Sequence, residues 1–129
     1  MSEKKGLKYT KSHEWLEDIG GGAVRVGLSS FAQSELGDIV FVNLPEVGDK
    51  VTAGAAFADV ESVKAVSDIF SPVTGTVREI NEELLDAPEL INEDCFGAWL
   101  AVIEDVSESE ELMEAEEYEA FAAAQKEKE

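Results

Sequence analysis

Val24-Arg25-Val26-Gly27-Leu28 alternates in the two-residue period of a strand with one buried face. Ile39-Val40-Phe41-Val42-Asn43-Leu44 is apolar almost throughout, which predicts a strand buried on both faces. Further β-prone runs cover His13 to Asp18, Phe57 to Ser62, Val66 to Phe70, Gly75 to Ile80 and Trp99 to Ile103. Gly and Pro punctuate these runs closely, at Gly37, Pro45, Gly48, Gly54, Pro72 and elsewhere, and Gly20-Gly21-Gly22 reads as a hairpin turn. Many short strands divided by turn signals predict a mainly β sandwich or barrel.

Helical spacing interrupts this pattern in three places. Ser29-Ser30 can cap a short helix from Phe31 to Leu36, which Gly37 then ends. Asn81 can start a turn through Leu85, stopped before Pro88. Ser107-x-x-Glu110 has the spacing of a capping box, and Leu112, Ala115, Tyr118, Phe121 and Ala122 then recur on one helical face. A C-terminal helical segment over about 107–126 is therefore expected, laid on a β core of about 7–104, with 1–129 as one domain.

Composition narrows the partners. With 44% hydrophobic and 30% charged residues the chain has the balance of a globular protein. Its formal charge of −19 argues against nucleic acid or an anionic membrane as partner, because both would repel it. Part of that charge lies in the acidic tail from Glu104 onward and part is free to meet basic patches on proteins. Met1-Ser2-Glu3-Lys4-Lys5 leads into no apolar signal segment, so a bacterial cytoplasmic location is expected. The lone Cys95 suits a reducing compartment and reads as a small buried residue. His13 is the one histidine and no metal-ligand or triad spacing surrounds it, which disfavours a hydrolase or metalloenzyme. Gly20-Gly21-Gly22 lacks the Lys-Ser/Thr ending of a phosphate loop.

The informative segment is Asp59 to Ile69. β-prone residues flank Ser62-Val63-Lys64-Ala65, and Val51 and Val77 lie equally far from Lys64 on either side. Lys64 is thereby placed near the apex of a two-halved structure, where a modifying enzyme can reach its amine. A lone lysine in a turn is ordinarily just a solvated residue, and only the surrounding sequence changes that. A Schiff-base role is disfavoured, since Glu61, Ser62, Ser67 and Asp68 make the surroundings polar and anionic.

Several separated motifs carry a resemblance that runs from about Leu7 to Phe121. They include Lys8 to Trp15, Val26-Gly27-Leu28, Leu36 to Val42, Leu44-Pro45-Glu46-Val47-Gly48, Glu61-Ser62-Val63-Lys64-Ala65, Ser67-Asp68-Ile69, Ser71 to Gly75, Pro88 to Asn92 and Gly97 to Leu100. In these motifs the chain resembles the glycine cleavage H-protein family of lipoyl carriers. The resemblance implies a barrel-sandwich hybrid of the biotinyl/lipoyl type with a C-terminal helix packed on it. It also implies a carrier rather than an enzyme, with lipoate in amide linkage to Lys64 and Glu61, Ser62, Val63 and Ala65 as the attachment motif. In that family the arm takes an aminomethyl group from glycine decarboxylase, yields it to aminomethyltransferase and is reoxidised by dihydrolipoamide dehydrogenase. Lipoyl- or octanoyl-attaching enzymes are the further partners. The resemblance sets Ser12, Glu14 and Asp68 along a cleft for the loaded arm, with Trp15 and Phe31 as apolar walls. The alternative for Ser12 and Glu14 is a solvent-facing position on an edge strand.

Two departures stand out: Asp94 to Trp99 is one residue shorter than the family pattern, and Phe31 replaces a common His. A biotin carrier shares the hairpin logic, but its lysine is usually flanked by Met, whereas here Val63 and Ala65 flank it. A relay that passes lipoyl groups to other complexes would use the same lysine motif and is the nearer rival.

Overall fold

The computed structural model describes the backbone of residues 3–127. β1 (Lys8–Tyr9) and β2 (Glu14–Gly20) are followed by β3 (Ala23–Leu28), α1 (Ser30–Leu36) and β4 (Ile39–Asn43). Then come β5 (Lys50–Val51), β6 (Ala56–Ser62), β7 (Val66–Phe70) and β8 (Val73–Ile80). Two single-turn helices, α2 (Glu83–Asp86) and α3 (Leu90–Glu93), precede β9 (Ala101–Ser109), β10 (Met113–Glu114) and α4 (Ala115–Glu127). The strands form a seven-stranded sheet in the order β10-β1-β2-β3-β9-β8-β5 and a three-stranded sheet in the order β4-β6-β7. The architecture is mainly β with short helices and a C-terminal helix, as expected. No helix among the described residues is long and apolar enough to cross a membrane.

Local chemistry explains the breaks between elements. Gly20, Gly21 and Gly22 all have positive φ, which turns β2 into β3 along a path that residues with a Cβ avoid. Ser29 caps α1: its Oγ accepts from the Ala32 N–H at 3.1 Å. Gly37, at φ 79°, ends the helix and donates its N–H to the Gln33 carbonyl.

Three apolar clusters hold the layers together. Val24, Val26, Val51, Val73, Val77 and Ile103 pack along the large sheet. Leu28, Ile39, Val42, Val60, Ile69, Leu84, Ile91 and Leu100 join the small sheet to the short helices. Tyr9, Trp15, Met113 and Tyr118 bind α4 to β1 and β2, with the Tyr9 and Tyr118 rings stacked 4.8 Å apart. Burying such side chains contributes roughly 1.5–3 kcal/mol each.

Three expectations are corrected. The run from Ile39 to Leu44 is not buried on both faces: Val40 is 52% and Phe41 45% exposed. β4 is the edge strand of the small sheet, and its register shifts between Ile39 and Phe41. Ile39 and Val42 turn inward, and Leu44 packs half-buried against the same cluster. The C-terminal helix begins at Ala115, not near Ser107. Ser109 pairs with Val73 and Glu108 with Thr74, so the ladder with β8 claims the residues of the apparent capping box. Finally, strand β9 starts at Ala101 rather than Trp99; α3 lies in a stretch to which no element was assigned.

Candidate functional site

β6 and β7 pair antiparallel from Ala56↔Phe70 to Glu61↔Val66, leaving Val63, Lys64 and Ala65 to make the turn. Ser62 shapes that turn. Its Oγ accepts from the N–H of Lys64 at 3.1 Å and of Ala65 at 3.2 Å, while its own N–H donates to the Ala65 carbonyl at 2.8 Å. The tip is also tied sideways, since the Val63 N–H donates to the Asp38 carbonyl in the loop between α1 and β4. Lys64 is exposed and reaches over Gly37, its Cε 3.6 Å from where a side chain there would begin. Its Nζ lies 3.4 Å from the Glu35 carbonyl, a long contact that leaves the amine accessible.

Val63 and Val66 on either side of Lys64 are 68% and 66% exposed. Glu61 stands opposite both Phe41 and Val66, so an exposed carboxylate sits in an apolar row across the small sheet. Among the described residues Glu61 makes no ion pair. Lysine, glutamate and apolar side chains are thus presented together beside one turn.

A cavity of about 150 Å³ lies between α1, the β1–β2 turn and the small sheet. Glu35 and Leu36 line it at the end of α1 that Lys64 reaches. Ser12 and Glu14 line it from the turn and the start of β2, and Phe31 from α1. Asp68, from β7, is exposed at its rim. Glu14 is not a solvent-facing edge residue: it is 1% exposed. Its Oε1 accepts from the hydroxyls of Thr10 and Ser12, each at 2.6 Å, and its Oε2 from the Phe70 N–H at 3.4 Å. Burial pushes the Glu14 carboxyl above its ordinary value, and those hydrogen bonds pull it back down. A buried carboxylate held by hydroxyls is suited to a small cation that supplies the missing charge.

Trp15 is not a wall of this cavity. Its ring lies in the cluster with Tyr9 and Met113, and its Nε1 donates to the Cys95 carbonyl at 3.0 Å. Cys95 is free and buried, and burial pushes its thiol up to about 12, which leaves it unreactive. Sequence reasoning missed His13, Glu35 and Ser67 as lining residues, and Thr10 as a partner of Glu14. Thr10, Ser12 and Glu14 recur at every second position, and that spacing was the available signal.

The sequence profile described as glycine cleavage H-protein matches residues 7–125. A glycine cleavage system H protein of Lachnoclostridium phytofermentans is 55% identical over 121 residues, covering 94% of this chain and 95% of that one. The protein of the same name from Treponema denticola is 58% identical over 118 residues, covering 92% and 96%. The crystal structure of a glycine cleavage system H protein from Mycobacterium marinum superposes with a TM-score of 0.86 at 41% identity, covering 91% of this chain and 96% of that one.

Proposed function

The chain belongs to the glycine cleavage H-protein family, and we propose that it works there as the shuttle whose lipoyl arm is attached to Nζ of Lys64. Its fold is the barrel-sandwich hybrid of lipoyl carriers, and members of this family are carriers rather than catalysts. When bound, the lipoyl group supplies a disulfide that takes up the aminomethyl unit of glycine by reduction and is reoxidised once that unit has passed on. The observation that carries the reading is the accessible Lys64 amine on a turn set by Ser62, beside a cavity with a buried carboxylate. The fit is chemical as well as spatial: amide formation needs an exposed amine, and Lys64 offers one.

The work of the chain is to present and to protect. Ser62 and the Val63–Asp38 hydrogen bond hold the anchor in one place. Glu61, Ser62, Val63 and Ala65 are the surface that an attaching enzyme would read, with Glu61 as the charged contact. Glu14 and Ser12 would accept hydrogen bonds from an ammonium cargo, with Asp68 at the rim and Phe31 excluding water. Glycine decarboxylase, aminomethyltransferase, dihydrolipoamide dehydrogenase and the attaching enzymes are the partners of this reading. The whole of 1–129 would act as one carrier domain, a view supported by Phe57, which packs against two of the three apolar clusters. A cytoplasmic setting belongs to the same proposal, since the free thiol of Cys95 suits a reducing compartment.

Intact mass and peptide mapping of protein from its native host should find one lipoyl group, on Lys64. Lys64→Arg keeps the positive charge and should carry none, with no turnover when mixed with the three partner enzymes. A lipoyl group on another residue, or turnover by the Arg variant, would overturn the assignment.

A further inference from the structure

Behind the cavity three polar groups form a chain, two of them buried and the third, His13, half-buried. The Tyr118 hydroxyl, on α4, lies 2.7 Å from Ser29 Oγ and 2.7 Å from His13 Nδ1. His13 lines the cavity, and its ring lies 4.9 Å from that of Phe31. Its backbone is held at φ 77°, a conformation that non-glycine residues keep only where the surroundings impose it. Ser29 and Tyr118 are both 0% exposed, so their hydrogens must find partners inside the protein.

Counting those hydrogens fixes the direction of the chain. Ser29 Oγ already accepts from the Ala32 N–H. The one acceptor described for its own hydrogen is the Tyr118 oxygen. Tyr118 must then give its hydrogen to His13 Nδ1, which leaves that nitrogen unprotonated. The neutral ring therefore carries its proton on Nε2. Protonating Nδ1 would leave either the Ser29 or the Tyr118 hydrogen without an acceptor, so the chain itself opposes the imidazolium.

We propose that Tyr118 is a positioning residue for the cavity: through Ser29→Tyr118→His13 it keeps His13 neutral with its proton on Nε2, so that Glu14 faces an ammonium cargo with no competing cation. This rests on the reading of the cavity as the place where the arm's cargo shelters. The electrostatic setting on each side is mixed. Burial lowers the His13 value, whereas Glu35, on α1, raises it. Glu14 on β2 and Asp68 on β7 line the same cavity, and Lys64 reaches the Glu35 carbonyl from the hairpin. Burial pushes the Tyr118 phenol up, so it stays a donor throughout the physiological range.

The chain has one histidine, so nitrogen-detected NMR of the unlipoylated protein shows a single imidazole. The parent should give the Nε2–H pattern, and Tyr118→Phe should mix the tautomers and raise the ring's titration midpoint. Aminomethyl-loaded Tyr118→Phe should release formaldehyde and ammonia about fivefold faster near pH 6, the effect of roughly one hydrogen bond. Tyr9→Phe is the structural control: it removes a buried hydroxyl from the same stacked pair, one bonded to the Lys4 carbonyl instead of His13. It should leave spectrum and release rate as in the parent. An Nδ1–H parent, an unchanged Tyr118→Phe spectrum or release rate, or equal effects of Tyr9→Phe would each overturn the proposal. The spectrum needs no arm, so these outcomes are separate from an unmodified Lys64, which would overturn the carrier reading beneath.

Discussion

Burial disfavours the charged form of the Glu14 carboxyl, while Thr10, Ser12 and the Phe70 N–H stabilise it. The balance leaves the folded value above the ordinary one of 4.5. Folding therefore takes up a proton in the range between the two. The cost of burying the charge is absent below about 4.5, grows as pH rises through the folded value, and is complete above it. Glu14→Gln keeps an oxygen for the two hydroxyls and removes the charge. Denaturation from about pH 4.5 upward should show the parent losing more stability with rising pH than the Gln variant does. The same variant, once loaded, should shed its cargo sooner, because a neutral amide holds an ammonium less well. Parallel pH profiles would mean that the carboxyl is not strained by its site. The family resemblance set Glu14 along a cleft, but its burial was not legible in the sequence, since that depends on α1 and β7 closing over it.

Between elements, Gly27 shows how tightly β2 and β3 are fitted. It pairs with Trp15, and a Cβ there would lie 2.5 Å from the indole ring. The Trp15 ring is fixed by its bond to the Cys95 carbonyl and cannot move aside freely. Gly27→Ala should therefore cost about 1–3 kcal/mol by overpacking, read as a lower melting temperature with lipoylation of the folded fraction intact. A variant as stable as the parent would mean that the indole has room to shift. The elements that could be read from sequence were those whose local signals agree with their neighbours. Val66–Phe70 was placed correctly because its turn and apolar pattern leave one solution. Ser29 and Gly37 bracket α1 by caps that act within the helix itself. Ser107 to Glu110 misled because pairing with β8 outweighs a cap signal worth about 1 kcal/mol. Val40 and Phe41 misled because an apolar run cannot tell a central strand from an edge strand.

For the molecule as a whole, 29 acidic residues face 10 basic ones. The four ion pairs among the described residues join exposed side chains and neutralise little of that excess. Such a carrier should approach partners with basic faces faster than diffusion alone allows, and salt should remove the advantage. Rates of aminomethyl transfer at low carrier concentration should fall several-fold between about 50 mM and 500 mM salt, with the maximal rate little changed. Rates indifferent to salt would assign the charge to solubility alone. The sign of the charge was plain in the sequence. The placement of Glu61 between Phe41 and Val66 was not, because it needs the register of two strand pairs.

The tether from Val63 to Asp38 gives the hairpin tip the character of a fixed pivot. A floppy tip would let the arm wander over much of the surface, with each partner free to meet it at a different latitude. A fixed pivot would confine an arm borne by Lys64 to one cap of space, and each partner would have to bring its own site into that cap. Visits would then be exclusive: the carrier would be a single berth, and its partners would take turns.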